Sequence, residues 1–320
     1  MRDVWTEAML DGDFERAWQV SDEVLAQRRG LTCADLPYHL RWVWGGAPFA
    51  GRRVVVHCYH GLGDTLQFIR FVPQVAALAD SVVIEAQPAL LPLLRPLCGA
   101  DRLFPLGAAL PACDVAVESM ELAYALRIAP EDLPGSVPYL FAPTPDDPRS
   151  AVSFAGTRLR VGLVWAAGTW RRERSVPPSL LLPLLRLPVD FVGLQLGPAR
   201  DAPEAAELVA GCRGLVPNDA TLAETAALVA RLDLVITVDT MIAHLAGALG
   251  RPVWTMLDAA ADWRWMRQRR DTPWYPTMRL FRALRRNCWE PVIEEIADSL
   301  ARLAQGPGSK RDLRRFGWAE

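Results

Sequence analysis

From Arg53 onward, short apolar runs alternate with stretches in which apolar residues recur every three or four positions. Runs of the first kind predict buried strands, and stretches of the second kind predict helices. The first half of the chain is thereby predicted to hold strands at 54–58, 82–85, 103–105 and 115–117, with helices at 65–78 and 89–97. Pro73 is expected to interrupt or kink the first of these helices.

The same alternation restarts in the second half. It predicts strands at 160–165, 190–195, 234–238 and 253–257, with helices at 179–185, 222–230, 240–249 and 291–303. Strands that alternate with helices are typical of parallel sheets in α/β folds. The pattern therefore predicts an α/β protein with two Rossmann-like domains that face each other across a cleft.

The regions outside this alternation set the domain boundaries. Residues 3–28 read as two short helices, similar to one remnant of a tetratricopeptide repeat, which is expected to dock onto the next domain because a single pair cannot bury its own apolar face. Six prolines within 130–150 indicate a connector. The predicted parts are 1–45, helical pair and linker; 46–150, first Rossmann-like domain; 151–305, second Rossmann-like domain; and 306–320, a tail.

Composition narrows the possible functions. The net charge is -2 and the sequence pI is near 6.1, which gives no electrostatic case for a nucleic-acid partner. The six cysteines lack the spacing of a zinc site or a disulfide framework. The sequence contains no P-loop and no Ser/His/Asp elbow. Because it also has no apolar run of about 18 residues, we expect a cytoplasmic protein without a transmembrane segment.

The first candidate site is the turn Gly61-Leu62-Gly63-Asp64 after the first strand. Paired glycines and an acid at Glu85 would suit a nicotinamide dinucleotide. Leu66 in place of a third glycine, and an anion at Asp64 where a pyrophosphate needs donors, argue against that interpretation. Asp64 itself fits equally well as the N-cap of the next helix and as a general base.

The second candidate site follows the strand 234–238. Asp239 lies where a buried charge is costly unless it binds something, and Thr240 opens a helix whose free N–H groups can hold a diphosphate. His244 lies one turn further along the same helical face. A capping Asp-Thr pair with a packed histidine is the structural alternative, and it explains the pattern about as well.

Two further segments carry candidate chemistry. The loop 165–175 follows a strand and holds Arg171, Arg172 and Arg174, which could neutralise phosphates, although its composition favours a solvated loop. The aromatic residues of 262–276 could wall a base or sugar pocket or could be hydrophobic core.

Together these segments carry a resemblance. Residues 61–68 (GLGDTLQF), 161–165 (VGLVW), 238–240 (VDT) with 244–250 (HLAGALG), and 274–281 (WYPTMRLF) resemble the glycosyltransferases that follow tetratricopeptide repeats, and these are similar to the ADP-heptose:lipopolysaccharide heptosyltransferases of family 9. The resemblance covers roughly residues 50–300. It implies a GT-B fold and an inverting, metal-independent transfer of a sugar, such as heptose, from a nucleotide-diphosphate donor to an acceptor hydroxyl, with no cofactor.

The resemblance also implies roles for matching residues. Asp64 corresponds to the general base on the acceptor side, and Asp239, Thr240 and His244 correspond to the donor-binding motif. We expect the acceptor-side turn to include His60, Gly61, Gly63 and Gln67, and the donor site to include Asp239, Thr240, Met241, His244, Trp165, Arg171, Arg174 and Gln195. The family's phosphate-binding lysine has no counterpart, because the loop 165–175 contains three arginines but no lysine.

Two alternatives remain open from the sequence. The chain could be a catalytically silent protein that still binds a nucleotide sugar. It could also be a nicotinamide-dependent enzyme that uses Gly61, Gly63 and Glu85. The acceptor could be a glycan, a protein or a small molecule.

Overall fold

The chain forms two compact units in a computed structural model that describes residues 3–99, 102–133, 137–143 and 156–305. The first unit is Met1–Gly135 with Tyr139–Phe141, and the second is Ser136–Pro138 with Ala142–Glu320. The chain passes from one unit to the other within the proline-rich stretch 130–150. Parts of that stretch, 134–136 and 144–150, and the predicted tail 306–320 lie outside the described residues.

The first unit begins with the predicted helical pair, α1 (Val4–Asp11) and α2 (Phe14–Gln27). Each helix starts at an aspartate, Asp3 or Asp13, whose side chain accepts a backbone N–H of the first turn. Within the first unit the Trp18 indole donates to the backbone oxygen of Ile128 at 2.8 Å. The expectation that the pair docks onto the following residues is therefore confirmed.

A four-stranded parallel sheet forms the centre of the first unit. Its strands are β1 (Arg53–His57), β2 (Ser81–Ala86), β3 (Leu103–Pro105) and β4 (Val115–Glu118), in the order β3-β2-β1-β4. The helices around it are α3 (Leu62–Phe68), α4 (Val72–Leu78), α5 (Leu91–Cys98) and α6 (Leu122–Ala125). The three valines of β1 are buried between two neighbouring strands, as expected for a central parallel strand.

The helix predicted over 65–78 is two helices in the structure. A 3₁₀ turn at Ile69–Phe71 separates α3 from α4, and Pro73 lies in the first turn of α4. Proline has no N–H and fits best in the first turn of a helix, so the break comes just before it. The expectation of an interruption near Pro73 is confirmed.

The second unit is built on a six-stranded parallel sheet in the order β10-β9-β8-β5-β6-β7. Its strands are β5 (Arg160–Val164), β6 (Asp190–Gly193), β7 (Gly214–Leu215), β8 (Leu234–Val238), β9 (Val253–Leu257) and β10 (Met278–Arg282). Its helices are α7 (Pro178–Leu181), α8 (Pro198–Asp201), α9 (Ala206–Gly211), α10 (Leu222–Val229), α11 (Met241–Ala248) and α12 (Glu290–Gln305). The predicted α/β class with parallel sheets is confirmed, while β7 and β10 were not predicted.

Both sheets have a point where the direction of strand addition reverses. In the first unit the chain adds β2 and β3 on one side of β1 and then returns to add β4 on the other. In the second it adds β6 and β7 beside β5 and then returns to add β8. Ligands of open α/β sheets bind at such reversals, beyond the carboxyl ends of the strands. These points are β1/β4 and β5/β8, where the candidate segments begin.

No helix within the described ranges is long and apolar enough to cross a membrane.

Gly247 is a position where the packing of the second unit is expected to be intolerant of a larger residue. A Cβ there would lie 2.4 Å from a ring carbon of Tyr275, whose side chain is fully buried. Gly247→Ala gains about 1 kcal/mol of helix propensity but overpacks the core, which costs about 1–3 kcal/mol or more. We expect a net loss of stability in urea unfolding.

Gly45→Ala is the matched control, because a Cβ at Gly45 meets nothing within 4 Å and its backbone is unstrained. This variant should stay within about 0.5 kcal/mol of the wild type. Equal stability of the two variants would contradict the packing described around Gly247.

Candidate active site

Glu118 organises the reversal point of the first unit. It ends β4 and is 1% exposed, and its carboxylate accepts the N–H groups of Tyr59 (3.1 Å) and Met120 (2.6 Å) and the hydroxyl of Ser119 (2.9 Å). His60 Nδ1 lies 3.2 Å from the same carboxylate. Glu118 therefore fixes the backbone after β1, from which the turn 60–64 starts.

Asp64 occupies the third position of α3 and is not its N-cap. The N-cap is Gly61, and the Asp64 carboxylate reaches back to accept the Gly61 N–H at 3.0 Å. The N-cap interpretation of Asp64 is therefore wrong, because the helix begins at Leu62 and not near Thr65. Gly61 has no side chain to cap the helix, so a carboxylate at Asp64 satisfies the cap from inside the first turn.

The other predicted acceptor-side residues divide by depth. Gly61 is exposed, and His60, Gly63 and Asp64 are partly exposed. Gln67 is fully buried, and its backbone oxygen accepts a hydrogen bond from Arg70 Nε. Residues 60–64 of the turn are therefore accessible to a ligand, whereas Gln67 is buried.

Glu85, the proposed ribose-binding acid of the nicotinamide interpretation, already has hydrogen-bond partners within the first unit. One carboxylate oxygen lies 2.5 Å from His57 Nδ1, and the other accepts the Gly107 N–H at 2.8 Å. Tyr59 stacks on the His57 ring, and burial together with the charge of Glu85 raises the pKa of Tyr59 to about 12. A ribose diol would have to displace these partners, which argues against that interpretation.

In the second unit, Trp165 and Gln195 brace the loop after β5 from below. The Gln195 side-chain oxygen accepts the N–H groups of Trp165 (3.2 Å) and Ala166 (2.9 Å). The Trp165 indole is 1% exposed and donates to the backbone oxygen of Ala199 at 3.3 Å. These two predicted donor-site residues shape the loop that carries Arg171 and Arg174.

Asp239, at the end of β8, is buried and paired with Arg174. Arg174 Nη1 lies 3.0 Å from Asp239 Oδ2, and Arg174 Nη2 lies 3.3 Å from Asp262 Oδ2. Burial raises the pKa of Asp239, although the Arg174 charge opposes this. Arg174 thus bridges two carboxylates that follow neighbouring strands, β8 and β9.

Asp262 is a functional candidate that the sequence interpretation missed. Burial favours a higher pKa for this carboxyl, but the ion pairs with Arg264 (2.8 Å) and Arg174 outweigh it and hold the pKa below its usual value. The sequence drew attention to 262–276 through its aromatic residues. The sequence did contain a signal for Asp262. It is an aspartate in the segment after β9, and β9 lies next to β8 in the sheet.

A small pocket of about 10 Å³ opens beside this ion-pair cluster. Its lining includes Arg171, Arg174, Asp239 and Asp258. Asp258 uses both carboxylate oxygens to accept the N–H groups of Ala260 and Asn287. This is room for about one water molecule, far below the roughly 300–1,000 Å³ of typical ligand sites, so a donor would bind here only if the surrounding side chains moved.

Thr240 is the N-cap of α11, as predicted, and its hydroxyl lies 3.1 Å from that of Thr237. Met241, the first residue of the helix, is partly exposed. His244 is buried, with Nδ1 2.9 Å from the Tyr275 hydroxyl and its ring stacked on Trp265. His244 therefore anchors α11 to the aromatic core of the second unit.

The aromatic segment 262–276 contributes mainly core. Trp265, Trp274 and Tyr275 are each at most 1% exposed. Among the described residues, no group of three or more His, Cys, Asp or Glu side chains is arranged to hold a metal ion.

Asp239→Asn is expected to change how the stability of the chain depends on pH. Because the pKa of Asp239 in the folded chain is raised above 3.8, the folded state holds this proton more tightly than the unfolded state. Stability from this group is complete below about pH 3.8 and is lost as pH rises through the raised pKa, by about 1.4 kcal/mol for each unit that separates the two pKa values. Measured by urea unfolding, the free energy of unfolding of the variant relative to the wild type should be higher at pH 7 than at pH 4.

The exposed Asp219 in the same unit provides the control, since Asp219→Asn makes the same chemical change in solvent. Its stability difference from the wild type should be the same at both pH values. A pH-independent difference for Asp239→Asn as well would show that this carboxylate is not the source of the slope.

Comparison with known proteins relates these sites to a family. The family model for glycosyltransferase family 9 (heptosyltransferase) matches residues 192–293, which include Asp239, Thr240 and His244. The chain is 29% identical over 303 residues to protein FlbA of Caulobacter vibrioides. That match covers 82% of this chain and 48% of FlbA, so the chain spans about half the length of this curated relative.

Two solved structures have a similar fold. A family 9 glycosyl transferase from Veillonella parvula matches with a TM-score of 0.54 and 14% identity, over 74% of this chain and 88% of that one. The ADP-heptose lps heptosyltransferase II of E. coli matches with a TM-score of 0.53 and 14% identity, over 79% of this chain and 100% of that one. The predicted heptosyltransferase resemblance and GT-B fold class are thereby confirmed: residues 192–293 match the glycosyltransferase family 9 model, and the chain has a fold similar to that of the heptosyltransferases.

Proposed function

We propose that the chain transfers a sugar from a nucleotide-diphosphate sugar to an acceptor hydroxyl. The observation that carries the proposal is the family 9 match over 192–293, because it contains the strand end and helix start at Asp239 and Thr240. The similar E. coli protein is described as acting with ADP-heptose, so an ADP-linked heptose is the first donor to test.

On the donor side, the proposed partners of the diphosphate are the start of α11 and the arginines of the loop after β5. The first N–H groups of a helix and its positive dipole end favour an anion. Arg171 is 40% exposed and Arg174 is 16% exposed, and both line the pocket beside Asp239. As the sugar departs, negative charge grows on the diphosphate, and these groups would stabilise it without a metal ion.

On the acceptor side, Asp64 is the proposed general base. Its carboxylate lies in the turn after β1, partly exposed and held by the Gly61 N–H at 3.0 Å. In an inverting transfer, it would take the proton of the acceptor hydroxyl as that oxygen bonds to the anomeric carbon and the diphosphate leaves from the opposite face. No resident cofactor enters this reaction, and a cytoplasmic location stays a prediction.

A catalytically silent protein that binds a nucleotide sugar is the competing proposal. The observation in its favour is the pairing of Arg174 with both Asp239 and Asp262, which already compensates the charge of this arginine. A silent protein binds a donor but releases no nucleotide from it, so binding and turnover have to be measured separately.

Thermal unfolding with a panel of ligands is expected to identify the donor. The panel is ADP-heptose, UDP-glucose, UDP-N-acetylglucosamine, GDP-mannose and the nicotinamide dinucleotide NAD. A ligand at 100 times its dissociation constant stabilises the folded state by about 2.7 kcal/mol, which raises the melting temperature by several degrees. We expect a selective shift with one nucleotide sugar, and a shift with NAD alone would contradict the proposal.

Asp64→Asn is expected to reduce nucleotide release from that donor by about 10²–10⁴-fold, the usual contribution of a general base. Asparagine can still accept the Gly61 N–H, so the turn should keep its structure. The donor-induced shift in melting temperature should be unchanged. Release of the nucleoside diphosphate is measured with a mixture of hydroxyl acceptors and with water alone.

Asp80→Asn is the control for this variant, because Asp80 is an exposed carboxylate in the same unit. It should leave both nucleotide release and the donor-induced shift at the wild-type level. Full turnover in Asp64→Asn would exclude Asp64 as the base, and donor binding without turnover in the wild type would favour the silent protein.

A further inference from the structure

An open groove of about 540 Å³ lies in the first unit, outside the residues assigned to sugar transfer. The end of α2, the segment 28–34, the segment 41–45 and Tyr59 line it, and we call it the α2 groove. Its volume is sufficient for a small-molecule ligand. Neither the family 9 match nor the candidate active site includes its lining apart from the neighbourhood of Tyr59.

The charge along the α2 groove is of one sign. Its lining contains the guanidinium groups of Arg28, Arg29 and Arg41 and, among the described residues, no carboxylate. Within the described ranges, Arg28 and Arg29 form no ion pair. Three cations around one concave surface attract an anion, because compensating charge is otherwise missing there.

Two carboxylates close to the groove wall serve other partners. Asp22 on α2 binds the Tyr124 hydroxyl at 2.7 Å and Arg127. Glu121 accepts the N–H groups of Val43 and Trp44 from behind the groove wall, and burial raises the pKa of its carboxyl. These acids fix the groove wall and do not pair with Arg28 or Arg29.

Aromatic rings hold two of the arginines in defined orientations. The Arg28 guanidinium lies over the Trp42 ring, 4.7 Å from its centroid, and the Arg41 guanidinium lies over the Tyr38 ring at 4.4 Å. Arg41 also donates to the backbone oxygen of Leu36 at 2.7 Å. A guanidinium stacked by its face keeps its edge for in-plane hydrogen bonds, which suits the two oxygens of a carboxylate or phosphate.

The same walls offer apolar surface next to the charge. Trp42 and Tyr59 line the α2 groove and are partly exposed, whereas Trp44 beside them is buried. Aromatic side chains in a groove pack against the flat face of a ring in a ligand. A ligand that uses the whole surface therefore combines a ring with an anionic group.

The arginines have a simpler structural explanation that has to be separated from binding. Arg28 is the residue after α2, and cations near the C-terminus of a helix interact favourably with its dipole. This interaction explains stability but gives no reason for three arginines to surround one groove. A binding measurement distinguishes the two explanations, because a helix-dipole role predicts no ligand.

We propose that the α2 groove binds a small molecule in which a carboxylate or phosphate group is attached to a ring. Arg28 and Arg29 bind the anionic group, and the partly exposed Trp42 and Tyr59 pack against the ring. The site does not depend on the sugar-transfer reaction, and its occupancy is measured without turnover.

The test is isothermal titration calorimetry, which measures the dissociation constants of three probes of similar size with the full chain in low salt. Glucose 1-phosphate and glucuronate carry the two kinds of anion, and glucose is the neutral control. We expect at least one anionic probe to bind more tightly than glucose and to weaken as salt increases. Binding of one anion and not the other identifies the group that the groove recognises.

Variants locate the binding. The double variant Arg28→Gln/Arg29→Gln should raise the dissociation constant at least fivefold, and Arg29→Glu, at an exposed position with low risk to folding, should raise it further than Arg29→Gln. Arg16→Gln removes the same charge from the exposed face of α2 outside the groove and should leave the dissociation constant unchanged. Equal affinities for glucose and both anions, or equal effects of the groove and Arg16 variants, would overturn the proposal.

Discussion

Charge that is buried at the carboxyl end of a parallel strand has to be compensated, and both units of this chain are arranged around that requirement. Glu118 follows β4 and is compensated by backbone N–H groups, a hydroxyl and His60. Asp239 follows β8 and is compensated by Arg174. An unpaired buried charge costs several kcal/mol, so the loops that carry the partners are held close to the strand ends. The geometry of both candidate sites follows from this constraint.

The chemistry of arginine determines how the second site is built. The two nitrogens of the Arg174 fork bind Asp239 and Asp262, which come from segments after two different strands. Lysine, with a single ammonium group, cannot make the same planar bridge. The arrangement also has a consequence for a phosphate ligand. A phosphate at Arg174 would compete with two carboxylates, so the N–H groups at the start of α11 and the more exposed Arg171 are better placed to bind it.

The sequence predicted those parts of the fold that depend on local pattern. Strands β8 and β9 were predicted to the residue because each is an apolar run with a single β-branched threonine, a pattern typical of buried parallel strands. Strand β10 was missed because Arg279 and Arg282 interrupt the apolar pattern at the edge of the sheet. The start of α3 was missed because a glycine N-cap has no side-chain signal. The pairing of Asp262 with Arg174 was missed because the two residues are 88 positions apart in the chain.

The candidate residues named from the sequence divide into two physical groups. Arg171, Arg174 and Asp239 line a pocket, whereas Trp165, Gln195 and His244 are buried and do not belong to its lining. A functional site needs both, because a loop or a helix start positions a ligand only if packing and hydrogen bonds hold it rigidly from below. Gln195 does this for the loop after β5, and the His244–Tyr275 hydrogen bond does it for α11. Sequence resemblance carries both groups together, and the lining of the pocket in the folded chain separates them.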